Sequence, residues 1–303
     1  MTGFSKTCII NTLLKNYINN WRYIISIKYK IVADSSADSI YFKSDIPFQS
    51  VPLKIITGKK EFVDANNLDV KAMVEYLKTY KGKSSTACPS VIDFVDAFSD
   101  AENIICVTIT GTLSGSYNAA CIAKEEYTSK YPDRNVYVIN SLSAGPELKL
   151  IIEKAEELIK NNTPFDEICK TLDSYMNKTG LVFALECLNN LARNGRCNPI
   201  VAKAAGLLGI RIVGKASDIG DLQPLDKPRG ADKALSKLFE RMLSEGYNGG
   251  KVRIDHCFNK DGAKALKKMI VSKFTKADVK IDTTYGLCSF YAENGGMLVG
   301  FEK

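Results

Sequence analysis

The sequence predicts an α/β protein in two parts. An N-terminal, mostly parallel α/β domain precedes a C-terminal α+β domain, with the ligand between or within them. Two observations carry this reading. In the first half, continuous apolar runs alternate with stretches of helical period, the pattern of parallel strands covered on both faces. In the second half some strands alternate polar and apolar residues, as in Lys251-Val252-Arg253-Ile254-Asp255, which suits a sheet with one wet or helix-covered face.

Taken in order, residues 1–29 read as a basic extension that packs loosely or on the surface. Lys15 and Arg22 interrupt any apolar signal region, and an amphipathic membrane-surface helix is the alternative. The first domain is assigned to 30–165 and the second to 166–303. Lys30-Ile31-Val32-Ala33 is a short strand ending in Asp34-Ser35-Ser36. Val51-Pro52-Leu53-Lys54-Ile55-Ile56 reads as one extended run, and Val70, Met73, Val74 and Leu77 predict a helix over 69–80. Val91–Phe98 is another helical run. Strands at 103–109 and 135–140 are followed by helices over 114–130 and 146–161. Beyond them, helices are expected near 165–177, 231–245 and 260–274. Strands are expected at 181–186, 209–214, 251–256, 278–284 and 296–301.

Composition narrows the function. The chain of 303 residues is 45% hydrophobic and 25% charged, which marks a core-forming protein. No run of about 18 apolar residues exists, so no stable membrane insertion is expected. The net charge is +7, but Lys6, Lys15, Arg22, Lys28 and Lys30 lie in the first thirty residues with no acid among them. The body is close to neutral and lacks the concentrated basic face of a nucleic-acid binder. Nine cysteines, with no Cys-x-x-Cys and several inside apolar runs, read as reduced thiols of a cytoplasmic protein. With His256 the only histidine, no metal site is expected.

Three segments are rich in small hydroxyl residues: Asp34-Ser35-Ser36, Ser84-Ser85-Thr86-Ala87-Cys88-Pro89-Ser90, and Thr110-Gly111-Thr112-Leu113-Ser114-Gly115-Ser116. Ligands of open parallel sheets bind beyond the carboxyl ends of the strands. Helix N-termini there, with hydroxyls beside them, complete an anion site without a basic side chain. The same residues also serve as helix caps. A histidine beside Ile254 and Cys257 equally suits a buried structural role, and Gly195 suits a turn with positive φ.

The ordered set of motifs from about 30 to 301 resembles the DegV family of bacterial fatty-acid-binding proteins, which includes the FakB subunits of fatty acid kinase. Ile31-Val32-Ala33-Asp34-Ser35-Ser36 is similar to its opening strand and "DS" loop, and Val51-Pro52-Leu53 to its "VPL" strand. Thr86-Ala87-Cys88-Pro89-Ser90 resembles "TSQPS", and Leu113-Ser114-Gly115-Ser116-Tyr117-Asn118-Ala119-Ala120 resembles "LSGTYQSA". Leu142–Glu147, Leu188–Arg196 and Ile254-Asp255-His256-Cys257 also fit. Ala87 stands where the family has a serine, and Tyr291–Gly296 departs from its "HTGPGALG"-like segment.

The resemblance implies that one long-chain fatty acid lies in an apolar tunnel, with its carboxylate held by hydroxyls. Thr86, Ser114, Gly115 and His256 would form the carboxylate site, with Arg196 and Ser35 as further site or partner contacts. It also implies a non-catalytic chain with no cofactor, which presents the acid to an ATP-dependent fatty acid kinase subunit. Two other classes compete with this reading. Ser114 and His256, in that order with acids between them, follow the chain order of an α/β-hydrolase, but Gly111-Thr112-Leu113-Ser114-Gly115 is not the G-x-S-x-G elbow. A nucleotide binder lacks its glycine-lysine or G-x-G-x-x-G fingerprint.

Overall fold

A computed structural model describes residues 27–39, 44–205 and 209–303. Strand β1 (Ile27–Asp34) runs into a 3-10 turn at Ser35–Ala37. There follow β2 (Phe48–Val51), β3 (Lys54–Thr57), β4 (Glu61–Val63), α1 (Val70–Thr79), β5 (Ser84–Ala87) and α2 (Val91–Phe98). The first half ends with β6 (Ala101–Thr108), α3 (Ser116–Lys130), β7 (Asn135–Asn140) and α4 (Pro146–Lys160). Strand β1 thus begins inside the stretch read as an extension, whose residues 1–26 lie outside the described residues.

Four parallel strands form one sheet in the order β2-β1-β6-β7. Alternate side chains go to opposite faces. Ile31, Ala33, Ile105, Val107 and Ile139 pack under α4, while Val32, Ile104, Cys106 and Val136 pack under α2 and α3. Both faces are buried, which is why these strands read as continuous apolar runs.

Two expectations change here. The run Val51–Ile56 is not one strand: Pro52 has no N–H to give a ladder. The chain breaks there between β2, in the parallel sheet, and β3, in a separate antiparallel sheet of order β4-β3-β5. The hydroxyl segment at Ser84 is not simply a loop either. Its first four residues are β5, with Thr86 opposite Ile55 of β3. The capping serine of α2 is Ser90, whose Oγ accepts from the Asp93 N–H.

The second half runs α5 (Phe165–Met176), β8 (Thr179–Leu185), α6 (Asn189–Arg193), α7 (Pro199–Ala204), β9 (Ile212–Ala216), β10 (Leu222–Asp226) and α8 (Ala231–Ser244). It closes with β11 (Val252–His256), α9 (Lys260–Lys273), β12 (Val279–Thr283), α10 (Gly286–Ala292) and β13 (Met297–Glu302). Its six-stranded sheet has the order β10-β9-β8-β13-β11-β12 and is antiparallel except for β11 and β12. One face, with Val182, Val213, Val252, Ile254 and Val299, packs on α8 and α9.

Helix α4 joins the two sheets. Leu148, Ile151, Ile152 and Ala155 face the parallel sheet, while its polar side chains meet the other sheet. Arg253 of β11, only 2% exposed, bonds Glu153 with Nε at 2.8 Å and Nη2 at 2.6 Å, and reaches Asp278 at 2.8 Å. Lys149 Nζ lies 2.7 Å from Asp255 and 3.4 Å from Asp282. Burial raises the Asp38 carboxyl well above its ordinary value, and the charge of Asp255 adds to it. Burial likewise lifts Asp255, to about 6, against the pull of Lys149.

Candidate functional site

A narrow cavity lies between the two sheets and encloses about 670 Å³ of non-atom space, counting its open mouth. Its wall is almost entirely hydrocarbon. Leu53, Ile109, Leu113 and Ala144 come from the carboxyl ends of the first half's strands and the loops after them. Phe183, Leu185, Leu222 and Leu298 come from the six-stranded sheet, and Leu287 and Ala292 from α10. The polar side chains at the wall are Thr86, Ser114, Arg196, Cys288 and Tyr291.

Thr86 Oγ1 lies 2.7 Å from the Tyr291 hydroxyl. Burial raises Tyr291, with Thr86 and the charge of Arg196 pulling the other way, so the phenol is neutral and keeps its proton. Arg196 is latched to two loops: Nε donates to Leu113 O at 3.2 Å and Nη1 to Asn194 O at 2.5 Å. The Asn-Gly-Arg turn needs a positive φ, 73°, at Gly195, as expected. Ser114 Oγ accepts from the Ser116 N–H at 3.3 Å. Beyond this end lies an outer cleft that shares Leu113, Ser114 and Arg196 with the cavity and adds Gly115, Tyr117 and Asn194.

Asp34, fully buried at the end of β1, positions the Ser114 loop. Its carboxylate accepts from Ile109 N at 2.9 Å, from Ser116 Oγ at 2.5 Å, and from the N–H and hydroxyl of Ser36. Asp64 anchors α10: it accepts from Gly286 N at 2.6 Å and Leu287 N at 2.9 Å. A Cβ on Gly286 would come within 2.6 Å of that carboxylate. Asp38 adds a bond from Tyr285 N at 2.7 Å.

Burial pushes Asp64 from 3.8 up to about 6, against the two α10 amides and Ser35. A carboxyl whose folded-state pKa is raised favours folding below its ordinary value, and that contribution is lost as pH rises through the folded value. Wild type should therefore lose on the order of 3 kcal/mol relative to Asp64→Asn as pH rises from below 3.8 to above about 6. Urea unfolding across that range reads the difference, and parallel profiles would refute it.

The structure brings together Thr86, Ser114 and Arg196 at the cavity, with Gly115 in the outer cleft. It does not bring His256 there. Along β11 side chains alternate, so His256 shares the face of Val252 and Ile254 and points away from the cavity. Its Nδ1 accepts from Asn259 N at 3.3 Å, and burial lowers its pKa. Among the described residues no hydrogen bond joins it to Ser114, so the hydrolase pair has no geometry. Ser35 is also elsewhere: it is fully buried and its Oγ accepts from Leu53 N at 3.0 Å. Thr86 does not sit at a helix start; it is in β5. Tyr291 and the whole of α10 were missed. That helix is short and apolar nearly all round, and periodicity cannot tell such a run from a strand.

The remaining features are plain. Among the described residues the eight cysteines are free thiols. Among the described residues no cluster of histidine, cysteine and carboxylate side chains could hold a metal ion, and no helix is long and apolar enough to cross a membrane.

A partly open cavity with a hydrocarbon wall, two hydroxyl side chains, a phenol and one guanidinium suits a ligand with a hydrocarbon body and a polar end. The chain belongs to the DegV family, whose sequence model, described as an uncharacterised protein family, matches residues 28–303. A DegV domain-containing protein of Streptococcus gordonii is 43% identical over 277 residues, covering 90% of this chain and 99% of the relative. Two crystal structures superpose with a TM-score of 0.89, each covering 91% of this chain and 99% of the other. One is a DegV family protein from Eubacterium eligens loaded with heptadecanoic acid, 40% identical. The other is the fatty acid kinase (Fak) B3 protein of Streptococcus pneumoniae loaded with linoleic acid, 42% identical.

Proposed function

We propose that this protein holds one long-chain fatty acid, its acyl chain in the cavity and its carboxylate at the Thr86–Ser114 end, and presents that carboxylate to a separate ATP-dependent kinase. The single observation that carries the reading is the apolar cavity ending in Thr86, Ser114 and Arg196. The acids carried by the two similar structures support it.

The energetics agree. A sixteen-carbon acid buries about 14 methylenes, on the order of 11 kcal/mol gross at ~0.8 kcal/mol each, before the costs of ordering and association. A desolvated carboxylate must be hydrogen-bonded or the gain is lost. The Thr86 and Ser114 hydroxyls supply donors, the Tyr291 hydroxyl stands beside them, and Arg196 supplies a favourable charge. Gly115 lines the outer cleft beyond Ser114, the side from which a partner would reach the head group. The chain itself binds and does not turn over its ligand, so a fluorophosphonate is expected to leave Ser114 unlabelled. Native mass spectrometry of the purified protein should show a one-to-one adduct that yields a long-chain acid on extraction. Finding no such adduct, with no competition by added fatty acid against a fluorescent acyl reporter, would overturn the reading.

A further inference from the structure

We propose that Phe183, seated on Gly214, determines which acyl chains the cavity accepts. The inference rests on the fatty-acid reading above and concerns the part of the cavity wall that the six-stranded sheet supplies.

Phe183 stands in β8, only 1% exposed, and lines the cavity. The strand register places it directly opposite Gly214 of β9 on one side and Leu298 of β13, another lining residue, on the other. A Cβ built on Gly214 would lie 2.5 Å from Phe183 Cζ and 2.9 Å from Cε2. The ring therefore occupies the space a side chain at 214 would fill. The same Cβ would lie 2.4 Å from the Gln223 carbonyl oxygen of β10, so backbone closes that space from the other side. Glycine inside a strand often marks a close approach of this kind. Here it lets a large aromatic side chain lie against the sheet instead of standing in the cavity.

The consequence follows from where the ring is. The polar lining residues come from β5, the loop before α3, the turn after α6, and α10. Phe183 and Leu298 come from the interior of the six-stranded sheet and carry no polar side-chain atom, so they meet hydrocarbon. Each methylene that fits is worth about four-fold in affinity, while a chain too bulky for the bore must displace packed side chains. The position of one ring then shifts the preferred chain.

The test measures competition by saturated acids from dodecanoate to eicosanoate against a fluorescent acyl reporter, for wild type, Phe183→Leu, Phe183→Ala and Gly214→Ala. Truncating Phe183 opens space, so the preferred length should rise by about two carbons in Phe183→Ala, with Phe183→Leu intermediate. Gly214→Ala should move it the other way by lifting the ring into the cavity. Because that substitution also presses on the β10 backbone, a folded Phe183→Leu decides the matter if Gly214→Ala does not fold. An unchanged preference in folded Phe183→Ala and Phe183→Leu would overturn the proposal while leaving the fatty-acid reading intact. Wild type that binds none of the acids would instead overturn that reading.

Discussion

Replacing Thr86 and Ser114 together with alanine is expected to weaken binding of a long-chain fatty acid by at least about 100-fold. Each hydroxyl bonded to a carboxylate contributes roughly 1.5–3 kcal/mol, and 1.4 kcal/mol is tenfold in affinity. The hydrocarbon wall is untouched by the double substitution, so the corresponding methyl ester should bind variant and wild type within a few-fold. Displacement of a fluorescent acyl reporter by acid and by ester measures both. An acid affinity unchanged in the double variant would remove these two residues from the head-group site.

Lys149→Met should destabilise the fold by about 3–5 kcal/mol at neutral pH, the usual consequence of removing one partner from a buried ion pair. The Lys149 side chain is 8% exposed and that of Asp255 1%. Asp38, also buried, feels the same charge. Without the ammonium, both carboxyls can avoid an unpaired buried charge only by taking up protons. The penalty should therefore shrink as pH falls through the raised range of Asp38 and Asp255, and grow again above it. The groups that face this cluster are Asp282 of β12, Arg253 of β11, and Asp64; none of them replaces the lost cation at its position. Chemical unfolding of both proteins at several pH values tests the prediction. A penalty independent of pH would mean the lysine contributes packing rather than charge.

How far the site could be read from the sequence depended on the range of the interaction involved. Strands β1, β6 and β7 were plain because both faces are buried, and their apolar runs need no partner to be recognised. Helix α4 was plain from its apolar spacing, although nothing in the spacing said that Lys149 and Glu153 would meet a second sheet. The split at Pro52 was missed because two short strands in different sheets read as one extended run. His256 was misplaced for a simpler reason. A family motif locates a residue along the strand, but the strand's twofold alternation decides its face, and Ile254 and His256 share the face away from the cavity.

The sequence alone established what is local or cumulative: an α/β first half with parallel strands and an α+β second half, a near-neutral body, hydroxyl-rich segments around Thr86 and Ser114, and an ordered set of motifs placing it in its family. The tertiary structure alone decided what depends on distant residues meeting. Tyr291 lies 205 positions from the Thr86 it bonds, Asp64 holds a helix that begins at Gly286, and the shape of the cavity depends on Phe183 resting over Gly214. Local periodicity reports which side chains are apolar and which way they alternate. It carries no information about which strand lies opposite, and in this protein that pairing sets the cavity.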